Sequence, residues 1–173
     1  MKLETKRLIL RTPEIRDAAD YVSIHNSRFV LRFNAMAPVT EEKVMARMND
    51  PEYLENTLFI ELKQTGCIIG AVFLEEDSLR WGVNSKELSY FIAEDHSRNG
   101  YMKEALHALI AHLFESSDLT CVAARSFAPN VASRALLASL GFHQDGIIPR
   151  CVKGYGDTIF DDTLHSLFRE DFY

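Results

Sequence analysis

The chain predicts an α/β (α+β) fold in which a mixed β-sheet carries helices on both faces. Three observations predict it. Short β-rich apolar runs alternate with segments of helical spacing in the order β-α-α-α-β-β-β-α-β-α-β-β. The composition is globular, with 47% hydrophobic and 25% charged residues. No repeat, linker or low-complexity tract interrupts the 173 residues, enough for one domain with a sizeable core and too few for two ordinary ones. Residues 1–173 are therefore expected to form a single domain.

Residues 7–11 (Arg-Leu-Ile-Leu-Arg) read as the first strand. Thr12-Pro13 supplies an N-cap and a favourable first helical position, and Ile15, Ala18, Ala19 and Val22 follow at helical spacing. A second helix is expected over residues 27–33. A third starts at Thr40, with Glu41 and Glu42 in its first turn. Residues 57–62 and 67–74 are β-rich runs joined by Lys-Gln-Thr-Gly66, a hairpin. Residues 75–86 form a polar connection that carries the only tryptophan, Trp81. A strand over 87–92 leads to a helix over 99–115, whose buried face is marked by Met102, Leu106, Leu109 and Leu113. Residues 119–125 form another strand, and 131–140 a helix that Gly141 stops. Residues 142–150 and 158–168 read as a closing hairpin.

A net charge of −6 argues against nucleic acid or an anionic membrane as main partner. The three cysteines, Cys67, Cys121 and Cys151, lie far apart in a spacing that fits neither a metal site nor a disulfide framework. A reducing, cytoplasmic location is the simplest expectation. The opening residues lack the apolar core of a signal peptide, and no run approaches transmembrane length. His107 and His112 are five apart, which does not bring them to one helix face, so no metal is expected. Composition leaves oligomeric state open, a homodimer included.

Residues 87–105 are the most informative stretch: a strand, a short polar loop with one glycine, and an amphipathic helix. A helix N-terminus facing a strand end leaves several backbone N–H groups unpaired and pointing the same way, an arrangement that binds phosphate without a lysine. By itself the pattern also fits a simple strand-to-helix turn. A second constellation follows one strand later, Asn130-Val-Ala-Ser133 through Leu140-Gly-Phe142. Alone, Asn130 reads as an N-cap and Ser133 as a first-turn polar residue. The two patterns in this order are more specific than either.

Together they resemble the GNAT superfamily of acetyl-CoA-dependent N-acetyltransferases, and within it the branch containing ribosomal-protein N-terminal acetyltransferases of the RimJ/RimL kind. The resemblance covers essentially the whole chain. Leu3-Glu-Thr-Lys-Arg-Leu-Ile-Leu-Arg11 is similar to that branch's opening strand. Glu87-Leu-Ser-Tyr-Phe-Ile92 and Ser97-Arg-Asn-Gly-Tyr-Met-Lys-Glu-Ala105 are similar to its coenzyme strand and pyrophosphate loop, and Asn130 to Phe142 to its second coenzyme motif. Gly156-Asp-Thr-Ile-Phe-Asp161 resembles the hairpin turn before the last strand. The resemblance implies a mostly antiparallel sheet of six to seven strands and acetyl-CoA as acetyl donor. It also implies roles: backbone amides of Ser97, Arg98, Asn99, Gly100, Tyr101 and Met102 on the diphosphate, and the strand edge at Phe91 and Ile92 on the pantetheine arm. Asn130 would bond the same arm, and Ser133 would lie near the thioester sulfur. Two positions depart from the family loop, which usually has Gln or Arg at Ser97 and Gly or Ala at Met102.

Acetyl transfer to an amine requires a neutral amine, donors for the thioester oxyanion and a proton for the leaving thiolate. A backbone N–H near Ile92 is the expected oxyanion donor. The tyrosine acid that many members carry late in the second motif is replaced by Leu137. Ser133 matches the serine that some ribosomal-protein enzymes use instead, but Cys151-Val-Lys153 offers no carboxylate to match their hairpin glutamate. Glu87 is the candidate general base, and a solvent-facing strand-end glutamate is the competing reading. Trp81 either lines an acceptor pocket or packs over the sheet. The expected activity is acetyl transfer to a protein or peptide α-amine by direct attack in a ternary complex. A small-molecule amine as acceptor and a catalytically silent acetyl-CoA-binding module are the alternatives.

Overall fold

The computed structural model describes residues 1–173. Eight strands form one sheet in the order β1-β2-β3-β4-β5-β6-β8-β7: Lys2–Glu4 (β1), Leu8–Arg11 (β2), Thr57–Leu62 (β3), Ile68–Glu76 (β4), Ser85–Ile92 (β5), Cys121–Phe127 (β6), His143–Lys153 (β7) and Ile159–Phe168 (β8). Every neighbouring pair is antiparallel except β5 and β6. That one parallel pair requires a crossover, which helix α5 (Tyr101–Ser116) supplies.

The strand beyond the six to seven expected is β1. The opening stretch does not run as one strand, because Thr5 turns the chain: its Oγ1 accepts the Leu8 N–H at 3.0 Å and its N–H donates to the Leu8 carbonyl. The first helix also starts later than Thr12-Pro13 suggests. A 3-10 turn at Ile15–Asp17 precedes α1 (Ala18–His25). Asp17 sets that start, accepting the Glu14 N–H at 2.8 Å while Arg11 grips both its oxygens at 2.7 and 2.8 Å. Arg11 and Asp17 are buried, and Glu61 takes the remaining face of the guanidinium at 2.7 Å. A buried charge survives only when paired on this scale.

Short helices α2 (Arg28–Leu31) and α3 (Glu41–Arg47) are capped by Ser27 and Thr40, whose hydroxyls accept from Val30 and Lys43. A further helix, α4 (Pro51–Asn56), was not expected, although Asp50-Pro51 is an N-cap followed by a first-position proline. Helices α1, α3 and α4 cover one face of the sheet, packing Tyr21, Val44 and Leu54 around Phe59 of β3. On the other face α5 and α6 (Val131–Ser139) bury the larger core, including Leu106, Leu109, Ile110 and Leu137. A terminal turn, α7 (Arg169–Phe172), closes the chain. No helix is long and apolar enough to cross a membrane.

Candidate active site

β5 and β6 run side by side for four rungs, from Ser85↔Cys121 to Leu88↔Ala124, and then part. β5 continues to Ile92, still paired with β4 through Gly70↔Ile92. Beyond Leu88 its other edge therefore faces an opening. On the β4 side the Ala93 N–H donates to the Ile69 carbonyl at 2.8 Å. Successive residues of a strand turn their amides to opposite edges, so the N–H and C=O groups of Tyr90 and Ile92 point into the fork.

Residues 93–100 link this edge to α5. A 3-10 turn at Glu94–His96 is followed by two left-handed residues, Arg98 (φ 61°) and Gly100 (φ 75°). Gly100 precedes α5 without a side-chain cap, and the first bond back into the loop runs from the Glu104 N–H to the Gly100 carbonyl at 3.0 Å. From Arg98 through Lys103 no backbone N–H finds an acceptor in the protein. Such a run at the positive end of a helix is a built anion cradle, and it fits a diphosphate. Ser97 stands apart, since its N–H and hydroxyl both donate to the Glu94 carbonyl, at 3.0 and 2.7 Å. The Met102 side chain belongs to the core, so its bulk is turned inward while its amide stays in the run.

Helix α6 starts beside the fork. Asn130 caps it by accepting the Ser133 N–H at 3.2 Å, and the Asn130 amide nitrogen makes no bond within the protein. The Ser133 hydroxyl lies 2.8 Å from the Tyr90 phenol. Burial pushes that phenol up to about 12, the Ser133 hydrogen bond opposing the shift. Leu137 is fully buried in the core. The phenol thus comes from the strand and not from the helix.

Glu87 lies on the opposite face. Leu88, Tyr90 and Ile92 pack toward α5, whereas Phe91 packs toward α1, and alternation gives Glu87 the Phe91 side. It lines a cavity of about 220 Å³ with Arg80, Arg125, Asp145 and Leu164. The other charges there are committed. Arg125 pairs with Asp162 at 2.7 Å and lies 3.0 Å from the Cys151 sulfur; Arg80 bridges Asp77 and Asp145 at 2.8 and 3.1 Å. Glu87 makes no ion pair or hydrogen bond. Burial pushes its carboxyl up, with Arg125 pulling the other way and neighbouring acids reinforcing the rise. A carboxyl held above its ordinary range in a cavity is suited to proton transfer.

The family model for the acetyltransferase (GNAT) domain matches residues 7–143. The chain belongs to the GNAT acetyltransferase family. This GNAT enzyme is 27% identical over 179 residues to the uncharacterized N-acetyltransferase p20 of Bacillus licheniformis, covering 98% of this chain and 97% of that one. Its fold matches the crystal structure of ribosomal-protein-S5-alanine acetyltransferase from Vibrio fischeri with a TM-score of 0.86 at 20% identity, over 100% and 99% of the two chains. It also matches spermidine N-acetyltransferase from Vibrio cholerae, solved with CoA and spermine, with a TM-score of 0.82 at 18% identity, over 97% and 99%. The enzyme is thus an acyltransferase, and its family takes acetyl groups from acetyl-CoA.

In this GNAT enzyme the two sequence motifs meet at one fork: Ile92 on the strand, Arg98 to Met102 on the loop, Asn130 and Ser133 at the start of α6. Phe91, expected at that edge, instead turns its N–H and C=O to β4 and its ring toward α1, and Tyr90 takes its place. Glu87 is separate, across the sheet and one residue before the last rung of the β5–β6 ladder. Trp81 does not pack over the sheet. It is fully exposed on the β4–β5 connection. Sequence reasoning missed Tyr90, although it shares the helix-facing parity of Leu88 and Ile92. It also missed Asp162, the carboxylate that the closing hairpin does supply, from β8 and not from residues 151–153. One Asp162 oxygen is buried without a partner. No group of three or more His, Cys, Asp and Glu side chains is arranged to hold a metal ion.

Proposed function

We propose that this GNAT enzyme acetylates the α-amine at the N-terminus of a protein or peptide, by direct attack of the amine within a ternary complex. The observation that carries this reading is the fork itself. Coenzyme-binding amides and the Tyr90–Ser133 pair lie on one face, and Glu87, beside its cross-strand neighbour Glu75, lies on the other. Donor and acceptor would approach from opposite faces and meet where β5 and β6 part.

Acetyl-CoA supplies an activated thioester when bound. The free amides of residues 98–103 hold its diphosphate, and the Tyr90 and Ile92 edge takes the pantetheine arm, assisted by the Asn130 side chain. An inward amide at Ile92 steadies negative charge on the thioester oxygen. The Ser133 hydroxyl, oriented by the Tyr90 phenol 2.8 Å away, would give its proton to the departing sulfur and regain one from water as coenzyme A leaves. Glu87 would receive the proton lost by the attacking nitrogen through a chain of waters, because it lies across the sheet and five residues before Ile92 along β5.

A carboxylate working through water favours amines that are already neutral. An α-amine with pKa near 7.8 is about a tenth neutral at pH 7, whereas a lysine near 10.4 is under about a thousandth neutral. A small polyamine is the second reading, favoured by the net charge of −6 and the unpaired Glu87, which suit a cationic acceptor. A cytoplasmic setting accords with three unpaired cysteines.

Coenzyme A release, read with a thiol reagent across peptides, amino acids, polyamines and aminoglycosides, tests the proposal. Steady release with peptide α-amines is expected. Faster release with a polyamine transfers the assignment to the second reading, and coenzyme binding without release from any amine identifies a silent module.

A further inference from the structure

We infer that Arg7, in the turn between β1 and β2, is a positioning residue for coenzyme binding: it holds the diphosphate loop in the shape that leaves its amides free. The inference deepens the proposed coenzyme site and rests on it. Arg7 is far from the loop in sequence, and nothing in the loop motif points to it.

Its contacts are directed at the loop. The Arg7 guanidinium donates to the Asn99 carbonyl at 3.0 Å and to one Glu104 oxygen at 2.6 Å. The Arg7 N–H and the Thr5 hydroxyl donate to the other Glu104 oxygen, at 2.8 and 2.6 Å. The guanidinium also lies 4.4 Å above the Tyr101 ring. The turn thereby grips three residues of the loop and of the first helical turn, each next to an amide of the free run.

Two physical consequences follow. In a trans peptide the C=O and the following N–H point in opposite directions. When Arg7 draws the Asn99 carbonyl toward itself, it turns the Gly100 N–H away from the Arg7 guanidinium and leaves it open to a ligand. The loop needs such a restraint, because Arg98 sits at φ 61°, a conformation a residue with a Cβ leaves unless its surroundings hold it. The second consequence concerns Glu104. A glutamate in the first turn of a helix can fold back onto the open amides and occupy an anion site from within. Arg7 and Thr5 engage both of its oxygens. Burial alone would raise the Glu104 carboxyl, but the hydrogen bonds from Thr5 and Arg7 outweigh it and hold it below its ordinary range. It therefore stays ionised, locked to Arg7 and off the coenzyme's site.

The test uses calorimetric binding of coenzyme A to the full chain, with acetyl-CoA KM, kcat and thermal midpoint measured alongside. The variants are Arg7→Ala, Arg7→Lys, Glu104→Gln and the Arg7→Ala/Glu104→Gln pair. Arg7→Ala is expected to weaken coenzyme A binding about tenfold or more and raise KM in step, leaving kcat at saturation within about twofold. Arg7→Lys should recover only part, because an ammonium cannot hold Glu104 and Asn99 together or lie flat on Tyr101. The double variant should bind no worse than Arg7→Ala, since the competing carboxylate is gone. Should Arg7→Ala fail to fold, Arg7→Lys carries the same expectation of lost affinity without lost kcat. Arg7 variants that bind coenzyme A like the wild type overturn the inference and leave the site standing. So does an equal loss of kcat and affinity that follows the thermal midpoint. A wild-type protein that does not bind coenzyme A overturns the site itself, and the inference with it.

Discussion

Gly100 and Gly66 offer a matched pair of perturbations. Both are left-handed, at φ 75° and 72°, and a Cβ added to either meets no crowding: nothing lies within 4 Å at Gly66, and at Gly100 the nearest atom is an Arg7 nitrogen at 3.5 Å. Alanine at either position incurs the left-handed penalty of about 1–2 kcal/mol, offset by about 0.4–1 kcal/mol from the stiffer unfolded chain. The net cost is about 1 kcal/mol, a fall of about 2–4 °C in thermal midpoint for a chain of this size. The two variants should therefore melt alike. They should differ in coenzyme binding. Gly66 closes the β3–β4 turn, where its N–H bonds the Leu62 carbonyl at 2.8 Å, whereas Gly100 sits within the run of free amides. Relaxing Gly100 out of its left-handed conformation swings at least one amide away from the diphosphate. Loss of one such charge-assisted bond raises the acetyl-CoA KM about tenfold or more. Steady-state kinetics with acetyl-CoA varied, beside thermal melts of both proteins, provide the assay. An unchanged KM in Gly100→Ala, or an equal rise in Gly66→Ala, would refute the assignment of the loop.

Tyr90→Phe and Ser133→Ala should each lower kcat by about 10²-fold with little change in acetyl-CoA KM, and the double variant should be no slower than the worse single one; kinetics of all three at saturating acetyl-CoA check this. Glu87→Gln should slow turnover without weakening coenzyme binding and should also stabilise the fold at neutral pH. A raised folded pKa gives stability that is present below the ordinary carboxylate pKa and lost as pH rises through the raised value, and glutamine does not ionise. Thermal melts from pH 4 to 8 should show the variant's advantage appearing only toward the upper end.

Much of the architecture was legible because its signals are local. The switch from period two to helical spacing marked β5 and α5, and Thr40 with the acidic first turn after it marked α3. Where local signals competed with tertiary contacts, the contacts prevailed. Thr12-Pro13 is a sound helix start, yet Asp17, held by buried Arg11, moves the start to residue 15. The β1–β2 turn is made by a single threonine hydroxyl, which no composition rule singles out. The run of free amides and the strand edge beside it were readable from the two motifs, since backbone amides at a strand end and a helix start follow from secondary structure. The Tyr90–Ser133 pair joins residues 43 positions apart and Arg7–Glu104 residues 97 apart, so neither spacing carries a pattern. The face of Glu87 depends on strand register, and register comes from the assembled sheet.

The proposed reaction is transfer from acetyl-CoA to an α-amine. Its most direct measurement uses a peptide with a free N-terminus and an internal lysine, incubated with the enzyme and acetyl-CoA, with the acetyl group located by fragmentation mass spectrometry at several pH values. Acetyl is expected on the N-terminal nitrogen at pH 7, with lysine products emerging only as pH approaches the lysine range. Acetyl on the lysine side chain at pH 7 would contradict the proposed reaction.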